Sequence, residues 1–357
     1  MLMHTRTELF ITQEMESQGD KLKVLVTGSH GFIGSYICTE LLQQGYEVIG
    51  VDNFSKYGKV TKSFDSHKNF TFFHINVEDL KDITDHLKDV DYIVAGAAMI
   101  GGISYFHKYA YDLLATNERI LASTFDVAIN LFKNYNLKRI LVMSSSMVFE
   151  NTEVFPTPES EITRCPPPLS TYGFQKLSCE YFCKGALEQY DLPYTIIRPF
   201  NCVGVGEDEA LGEEEVTVGN IKMLMSHVLP DLIYKAFKLK STDSLPILGS
   251  GDQVRHYTNG SDIARGIRMA LESKEAINED FNISSPLPTT VGELGTLVWD
   301  KVHGTPVVFE HFEPYKYDVQ YRSPDVSKAQ DILGFKTKIG LDESIDEVIA
   351  WMRKQHG

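Results

Sequence analysis

Tyr172 and Lys176 lie four residues apart in STYGFQK, which on a helix puts both side chains on one face. An ammonium one turn from a phenol favours the phenolate. A phenolate poised in this way can take the proton of a hydroxyl group as hydride leaves the carbon that bears it. A second stretch, RILVMSSSMVFE from Arg139 to Glu150, runs from an apolar segment straight into three serines. A serine hydroxyl near the phenol oxygen can orient it, so the serine loop and the Tyr–Lys pair together describe a hydride-transfer site. The residue after the serines, Met147, can neither give nor take a proton. A Tyr–Lys spacing alone is common on helix surfaces; its weight here comes from the elements around it.

The first of these is TGSHGFIG, with Gly28, Gly31 and Gly34 between an apolar strand and a helix. Glycines at such a turn let the backbone approach a pyrophosphate, and the helix N-terminus supplies free N–H donors. The next strand, YEVIGVDN, carries Asp52 near its tip. A carboxylate there accepts a hydrogen bond from a ribose 2′-hydroxyl and repels a 2′-phosphate, which predicts NAD rather than NADP.

The elements needed to position these residues follow in order. Apolar runs at Leu22–Gly28, Tyr46–Asn53, Phe70–Val77, Asp91–Ala98, Arg139–Ser145 and Pro193–Asn201 read as strands. Between them, Phe32–Gly45, Asp79–Val90, Tyr111–Asn134 and Tyr172–Gln189 read as helices. Alternating strands and helices, with strands apolar throughout, predict an α/β fold: a doubly wound parallel sheet (Rossmann) with a smaller C-terminal α/β lobe. The expected organisation is a mobile N-terminal extension over residues 1–20, a nucleotide-binding domain over 21–201, and a substrate-binding lobe over 202–357 interleaved with late sheet elements.

Composition narrows the function. A net charge of −15 over 357 residues argues against nucleic acid as a partner. No apolar run reaches the roughly 18–20 residues that span a bilayer, and residues 1–21 lack a signal-peptide pattern. Five cysteines, an odd number without a CxxC pair, predict free thiols in a reducing cytoplasm and no metal site. Cys179 and Cys183 read as core packing, and the acidic stretch Glu207–Glu215 as a solvated loop.

With these residues in view, the chain resembles the extended short-chain dehydrogenase/reductases of the nucleotide-sugar epimerase/dehydratase family. The resemblance runs from about Lys21 to the C-terminus through TGSHGFIG, VDNFS, GAA at Gly96–Ala98, Asn117, the three serines, YGFQK, RPFN, GSGDQVRHY and YRSPDVSKA. It implies catalytic roles for Ser145, Tyr172 and Lys176. It places Gly28, His30, Gly31, Phe32, Ile33, Gly34, Asp52, Asn53, Ala97, Ala98, Asn117, Tyr172 and Lys176 at NAD, with Asn76 and Val77 bordering the adenine. On the substrate side it implies Ser146, Met147, Asn201, His227, Val228, Arg255 and Arg322. Of these, Asn201 and the two arginines would hold the nucleotide diphosphate. It also implies a homodimer in which Tyr111–Asn134 and Tyr172–Gln189 pair across a two-fold axis; Leu131, Phe132 and Phe182 offer apolar material for it or, alternatively, face the sheet.

Departures from the family pattern sharpen the expectation. Its dehydratases and decarboxylases carry an acid where this chain has Met147, and GDP-fucose synthase and GDP-mannose 3,5-epimerase carry a cysteine. Two stretches nevertheless look like the latter branch: Ala97–Asn117, with its glycine pair, and Ser226–Pro230, which places His227 where fucose synthase carries a catalytic histidine. The resemblance therefore implies an NAD-dependent epimerase of a GDP- or UDP-linked sugar acting through a transient keto-sugar. The alternative is a keto-sugar reductase on a GDP-sugar; decarboxylase, dehydratase and non-catalytic NAD-sensing readings rank lower. Envelope polysaccharide synthesis is the pathway the family implies.

Overall fold

The computed structural model describes residues 21–100, 108–207, 216–218, 221–223, 227–314 and 319–356. The first half contains β1 (Lys23–Thr27), α1 (Phe32–Gln43), β2 (Glu47–Asp52), β3 (Phe70–His74), β4 (Tyr92–Ala95), α2 (Ala110–Asn134), β5 (Arg139–Met143), α3 (Thr171–Tyr190) and β6 (Tyr194–Pro199). After it come β7 (Cys202–Val203), a hairpin of β8 (Val216–Val218) and β9 (Ile221–Met223), α4 (Val228–Lys238), β10 (Leu245–Leu248), β11 (Val254–Arg255), β12 (Thr258–Asn259), α5 (Gly260–Glu272) and β13 (Glu279–Ile283). The chain closes with β14 (Thr289–Thr290), α6 (Val291–His303), β15 (Phe309–Phe312), α7 (Ser327–Leu333) and α8 (Leu341–His356).

Seven strands form one parallel sheet in the order β13-β6-β5-β4-β1-β2-β3. The central strands are apolar on both faces because helices cover both: all five residues of β5 are buried. One face packs against α1 and α5, through Ile37, Leu41, Ile263 and Ile267. The other packs against α2 and α3, through Phe125, Leu131, Cys179 and Cys183. A third core, around Leu232, Trp299 and Ile349, joins α4, α6 and α8. Among the described residues no helix is long and apolar enough to cross a membrane.

Strand order reverses between β1 and β4, so a crevice opens at their carboxyl ends, where α/β sheets bind ligands. Local chemistry fixes its rim. Thr27 Oγ1 accepts hydrogen bonds from the N–H groups of Gly96 (3.1 Å) and Ala97 (3.2 Å), which ends β4 at Ala95, short of the predicted Ala98. The helix predicted over Asp79–Val90 is instead a run of 3₁₀ turns over Val77–His86. Its buried residues, Val77, Leu80 and Ile83, recur every three positions, which matches a helix of three residues per turn. Of the two places open to Leu131, a subunit interface or the sheet, it takes the sheet, where it is fully buried, and Phe182 packs on Phe125 at 5.5 Å within the chain.

Two helical glycines separate space from strain. A Cβ on Gly34 would lie 1.9 Å from the Gly28 carbonyl oxygen, whereas a Cβ on Gly185, exposed in α3, meets nothing within 4 Å. Gly34→Ala is expected to destabilise the protein by about 1–3 kcal/mol, as overpacking does. Gly185→Ala is expected to stabilise it by roughly 0.5–1 kcal/mol through helix propensity. Thermal unfolding of the two variants checks both signs.

Candidate functional site

A cavity of about 910 Å³ runs from the glycine turn, past the serine loop, to α4 and β11. At its first end Gly28, Gly31, Phe32, Ile33 and Gly34 form the floor. Gly28 adopts φ +74°, and a Cβ there would lie 2.9 Å from Ala97 Cα, so only glycine lets the turn sit against the end of β4. The first turn of α1 has Gly31 at its N-cap and no side-chain cap, so its N–H groups are left for a ligand. Asp52 accepts hydrogen bonds from the backbone N–H of His30 (3.0 Å) and Phe54 (2.8 Å), which aims the carboxylate at the cavity rim and leaves further lone pairs for ribose hydroxyls. A cradle that a Cβ would fill, an uncapped helix N-terminus and a fixed carboxylate together fit a dinucleotide.

The other residues predicted at NAD divide into wall and support. Asn53, Val77, Ala97 and Ala98 line the cavity. His30 also lines it, but its imidazole is engaged inward, with Ser29 Oγ at 3.0 Å, Asp65 Oδ1 at 3.0 Å and the Phe72 ring centroid at 4.4 Å. Burial pushes that imidazole below its usual value, although Asp65 draws it the other way. Asn76 does not reach the wall; its side chain accepts a hydrogen bond from Asn53 Nδ2 at 2.9 Å. Asn117 is buried behind the wall and clamps Met99, accepting from its N–H at 2.7 Å and donating to its carbonyl at 2.9 Å. Asn117 therefore stands behind the residues that face the cavity, while Asn76 is exposed beside Asn53. The glycine pair of the Ala97–Asn117 stretch falls within 101–107, outside the described residues.

The middle of the cavity holds the serine loop and the Tyr–Lys pair. Ser145, Ser146, Met147, Tyr172 and Lys176 all line it. Ser145 caps the short 3₁₀ turn Ser146–Phe149, its Oγ accepting from Met147 N–H at 3.2 Å. Its own O–H remains a donor. Lys176 donates from Nζ to the Met143 carbonyl at 2.9 Å, which fixes the ammonium one turn below Tyr172. Met147 is buried against Tyr172 and Leu113. The start of α3 is pinned by Glu150, whose carboxylate accepts from the backbone N–H of Leu169 and Ser170 and from the Ser170 hydroxyl, while Ser170 caps Gly173 N–H at 3.0 Å.

Behind this loop lies a charged network. Ser144 Oγ donates to Glu180 Oε1 at 2.6 Å. Glu180, fully buried, takes a two-pronged grip from Arg198, with Nε and Nη2 each at 2.7 Å. Arg198 Nη1 is also 2.7 Å from Asp280 on β13, an ion pair rather than an aligned hydrogen bond. Burial pushes the Asp280 carboxyl up, but Arg198 and Lys328 together hold it below the usual carboxylate range.

The far end of the cavity is lined by Asn201, His227, Val228, Arg255 and Arg322. Register brings the arginines together: Val254 bridges Tyr321, and Arg322 N–H donates to the Val254 carbonyl at 3.2 Å. Arg255 Nη1 donates to the Val254 carbonyl at 2.8 Å. Asn201 adopts φ +36°, and its Nδ2 is buried with no hydrogen-bond partner. His227 Nδ1 meets Glu207 Oε1, and Glu207 is buried. The start of the acidic stretch, expected to be solvated, thus faces inward because His227 partners its carboxylate; residues 208–215 lie outside the described set. The sequence reading also missed Glu180, Asp231, Lys235 and Tyr257, the last three of which line the cavity. Arg198 sat in the RPFN motif without a role, while Asp231 and Lys235 carried only a helical i, i+4 spacing.

This arrangement, a dinucleotide turn joined to a Ser–Tyr–Lys set and an arginine pair on one cavity, defines a nicotinamide-dependent enzyme of the short-chain dehydrogenase/reductase class. The sequence model of the NAD dependent epimerase/dehydratase family matches residues 24–284, and the chain belongs to that family. Among its relatives, an uncharacterized UDP-glucose epimerase, YtcB, of Bacillus subtilis is 27% identical over 93% of this chain and 98% of its own. UDP-glucuronic acid decarboxylase 1 of Xenopus tropicalis is 24% identical over 95% and 74%. The solved UDP-glucose 4-epimerase of Thermotoga maritima, in complex with UDP-glucose, is 29% identical with a TM-score of 0.77 over 94% of this chain and all of that one. A UDP-glucuronic acid 4-epimerase of Bacillus cereus, solved with NAD, shares the fold at 23% identity and a TM-score of 0.77 over 94% of this chain and all of that one.

The buried Glu180–Arg198 pair generates a test. Glu180→Ala is expected to cost about 3–5 kcal/mol in urea unfolding, because it leaves the guanidinium buried with half its compensation. A loss below about 1 kcal/mol would mean that Asp280 alone satisfies Arg198.

Proposed function

We propose that the chain is an NAD-dependent epimerase of a nucleoside-diphosphate sugar, inverting one carbinol centre through a keto-sugar. The observation that carries this reading is Met147: the side chain packed on Tyr172 is apolar, so elimination or decarboxylation finds no acid at that position. A single-centre redox epimerisation needs none.

Tyr172 takes the proton of the sugar hydroxyl, with Lys176 anchored below it on the Met143 carbonyl. Ser145, held by its cap on Met147 N–H, donates its O–H to the same sugar oxygen. Bound NAD supplies reversible hydride acceptance at the carbon. Arg255, Arg322 and Asn201 retain the diphosphate while the sugar ring turns its other face, after which Tyr172 returns the proton. The set Gly28, Gly31, Gly34 and Asp52 keeps the dinucleotide in place through the cycle. A second reading, a keto-sugar reductase/epimerase, is favoured by one observation: His227, at the cavity wall, is oriented by the buried Glu207 and forms an additional candidate proton carrier.

We further read the assembly as a homodimer, with Tyr111 on α2 and Phe174 and Tyr181 on α3 as exposed apolar side chains at the joint. Light scattering is expected to give twice the 40.3 kDa chain mass; a monomer would discard this assembly.

Denaturing the purified protein is expected to release NAD in a one-to-one ratio. Tyr172→Phe is expected to keep the NAD but lose about 10²–10⁴-fold in kcat, scored by NMR on a panel of nucleotide sugars. An empty protein that binds NADPH more tightly than NADH would overturn the epimerase and favour the reductase.

A further inference from the structure

We propose that Asp231 and Lys235 read the nucleobase of the substrate and select guanine. The proposal rests on the nucleoside-diphosphate-sugar reading above and adds to it the identity of the base.

The two residues lie one turn apart on α4 and form an ion pair at 2.6 Å, with side chains 7% and 2% exposed. Both line the cavity, in the same lobe as Arg255 and Arg322. A buried ion pair is expensive unless its remaining hydrogen-bonding capacity is filled. Lys235 fills part of its own by donating to the Pro246 carbonyl on β10 at 3.3 Å. Asp231 does not: Oδ1 is buried and has no hydrogen-bond partner among the described residues. Burial pushes the Asp231 carboxyl up, and Lys235 recovers only part of the shift. Buried acceptors are almost always paired, so the Asp231 carboxylate is short of a donor. If the pair only pinned α4 to β10, the Lys235 bond to Pro246 would suffice and the spare carboxylate oxygen would have no purpose.

The surroundings point to a flat, polar-edged ligand. Leu232, Ile247 and Leu248 line the cavity beside the pair, giving apolar surface for a ring and one charged strip for its edge. In a nucleoside diphosphate held by two arginines, the base is the group that remains to be placed. The strip offers an acceptor next to a donor. Guanine presents N1–H and N2–H₂ side by side, followed by the O6 acceptor, so Asp231 takes the two N–H groups and Lys235 meets O6. Uracil and thymine flank their single N–H with carbonyls, and one of those would face the carboxylate.

The test is titration calorimetry on the full-length protein with its NAD, using GDP, IDP and UDP. The expected result is GDP binding roughly 10- to 100-fold more tightly than UDP, the scale of one bidentate base contact. IDP, which lacks the 2-amino group, is expected between them. Asp231→Asn is expected to remove the GDP preference and leave UDP affinity within about threefold, with the Tm read alongside. Wild-type protein that binds UDP as tightly as GDP, or does not separate GDP from IDP, overturns the proposal without any variant. A uniform loss for all three nucleotides in Asp231→Asn also overturns it, because the pair is then structural. Failure to bind any nucleoside diphosphate overturns the nucleotide-sugar reading as well. GDP selectivity without sugar epimerisation leaves the base assignment standing and overturns the reaction.

Discussion

Arg198 gripping Glu180 is the interaction on which the rest of the site depends. Both groups are removed from water, so each is tolerable only because the other is there. Through them four parts of the chain are held at once: β6 carries the arginine, α3 the glutamate, the serine loop hangs from Glu180 by Ser144, and β13 is drawn in by Asp280. The same α3 bears Tyr172 and Lys176 on its first two turns. The network thus sets the distance between the serine loop and the helix that carries Tyr172 and Lys176. Neutral groups could fill that volume, but they would not join these elements by directed bonds.

The proposed reacting centre is sparsely charged. Lys176 has its ammonium on a backbone carbonyl, Met147 covers the phenol ring, and the three serines are buried. Low polarity around one phenol and one ammonium suits a hydride transfer, in which little charge is created and water is a competitor. The charged groups of the substrate end, Arg255 and Arg322, stand on a separate pair of short strands and turns. In the proposed reaction, hydride transfer and substrate retention fall to different pieces of the fold.

What was legible in the sequence was what is local. The glycine turn, Asp52 and the Tyr–Lys helix each announce themselves within a few residues, because a tight turn, a strand tip and an i, i+4 face have fixed spacings. The sheet followed from apolar runs. The Val77–His86 turns were misread as an ordinary helix because spacings of three and of 3.6 coincide over one turn. The long-range partners left no such mark: Glu180 meets Arg198 across 18 residues, Arg198 meets Asp280 across the sheet, and His227 meets Glu207 from another loop. The clamp of Asn117 on Met99 likewise left no mark, because it joins a helix to a strand end 18 residues away. Asp231 and Lys235 looked like any surface pair on a helix until burial showed otherwise.

The place of β13 in the sheet bears on how the protein is made. It is the neighbour of β6, yet it is separated from it by about eighty residues of lobe. During synthesis from the N-terminus, β6 emerges with its outer edge unpaired and Arg198 without Asp280 until Glu279–Ile283 has left the ribosome. An open apolar edge is a template for wrong partners. The large sheet is therefore completed only by a strand delivered late, and the intervening residues are made in the interval.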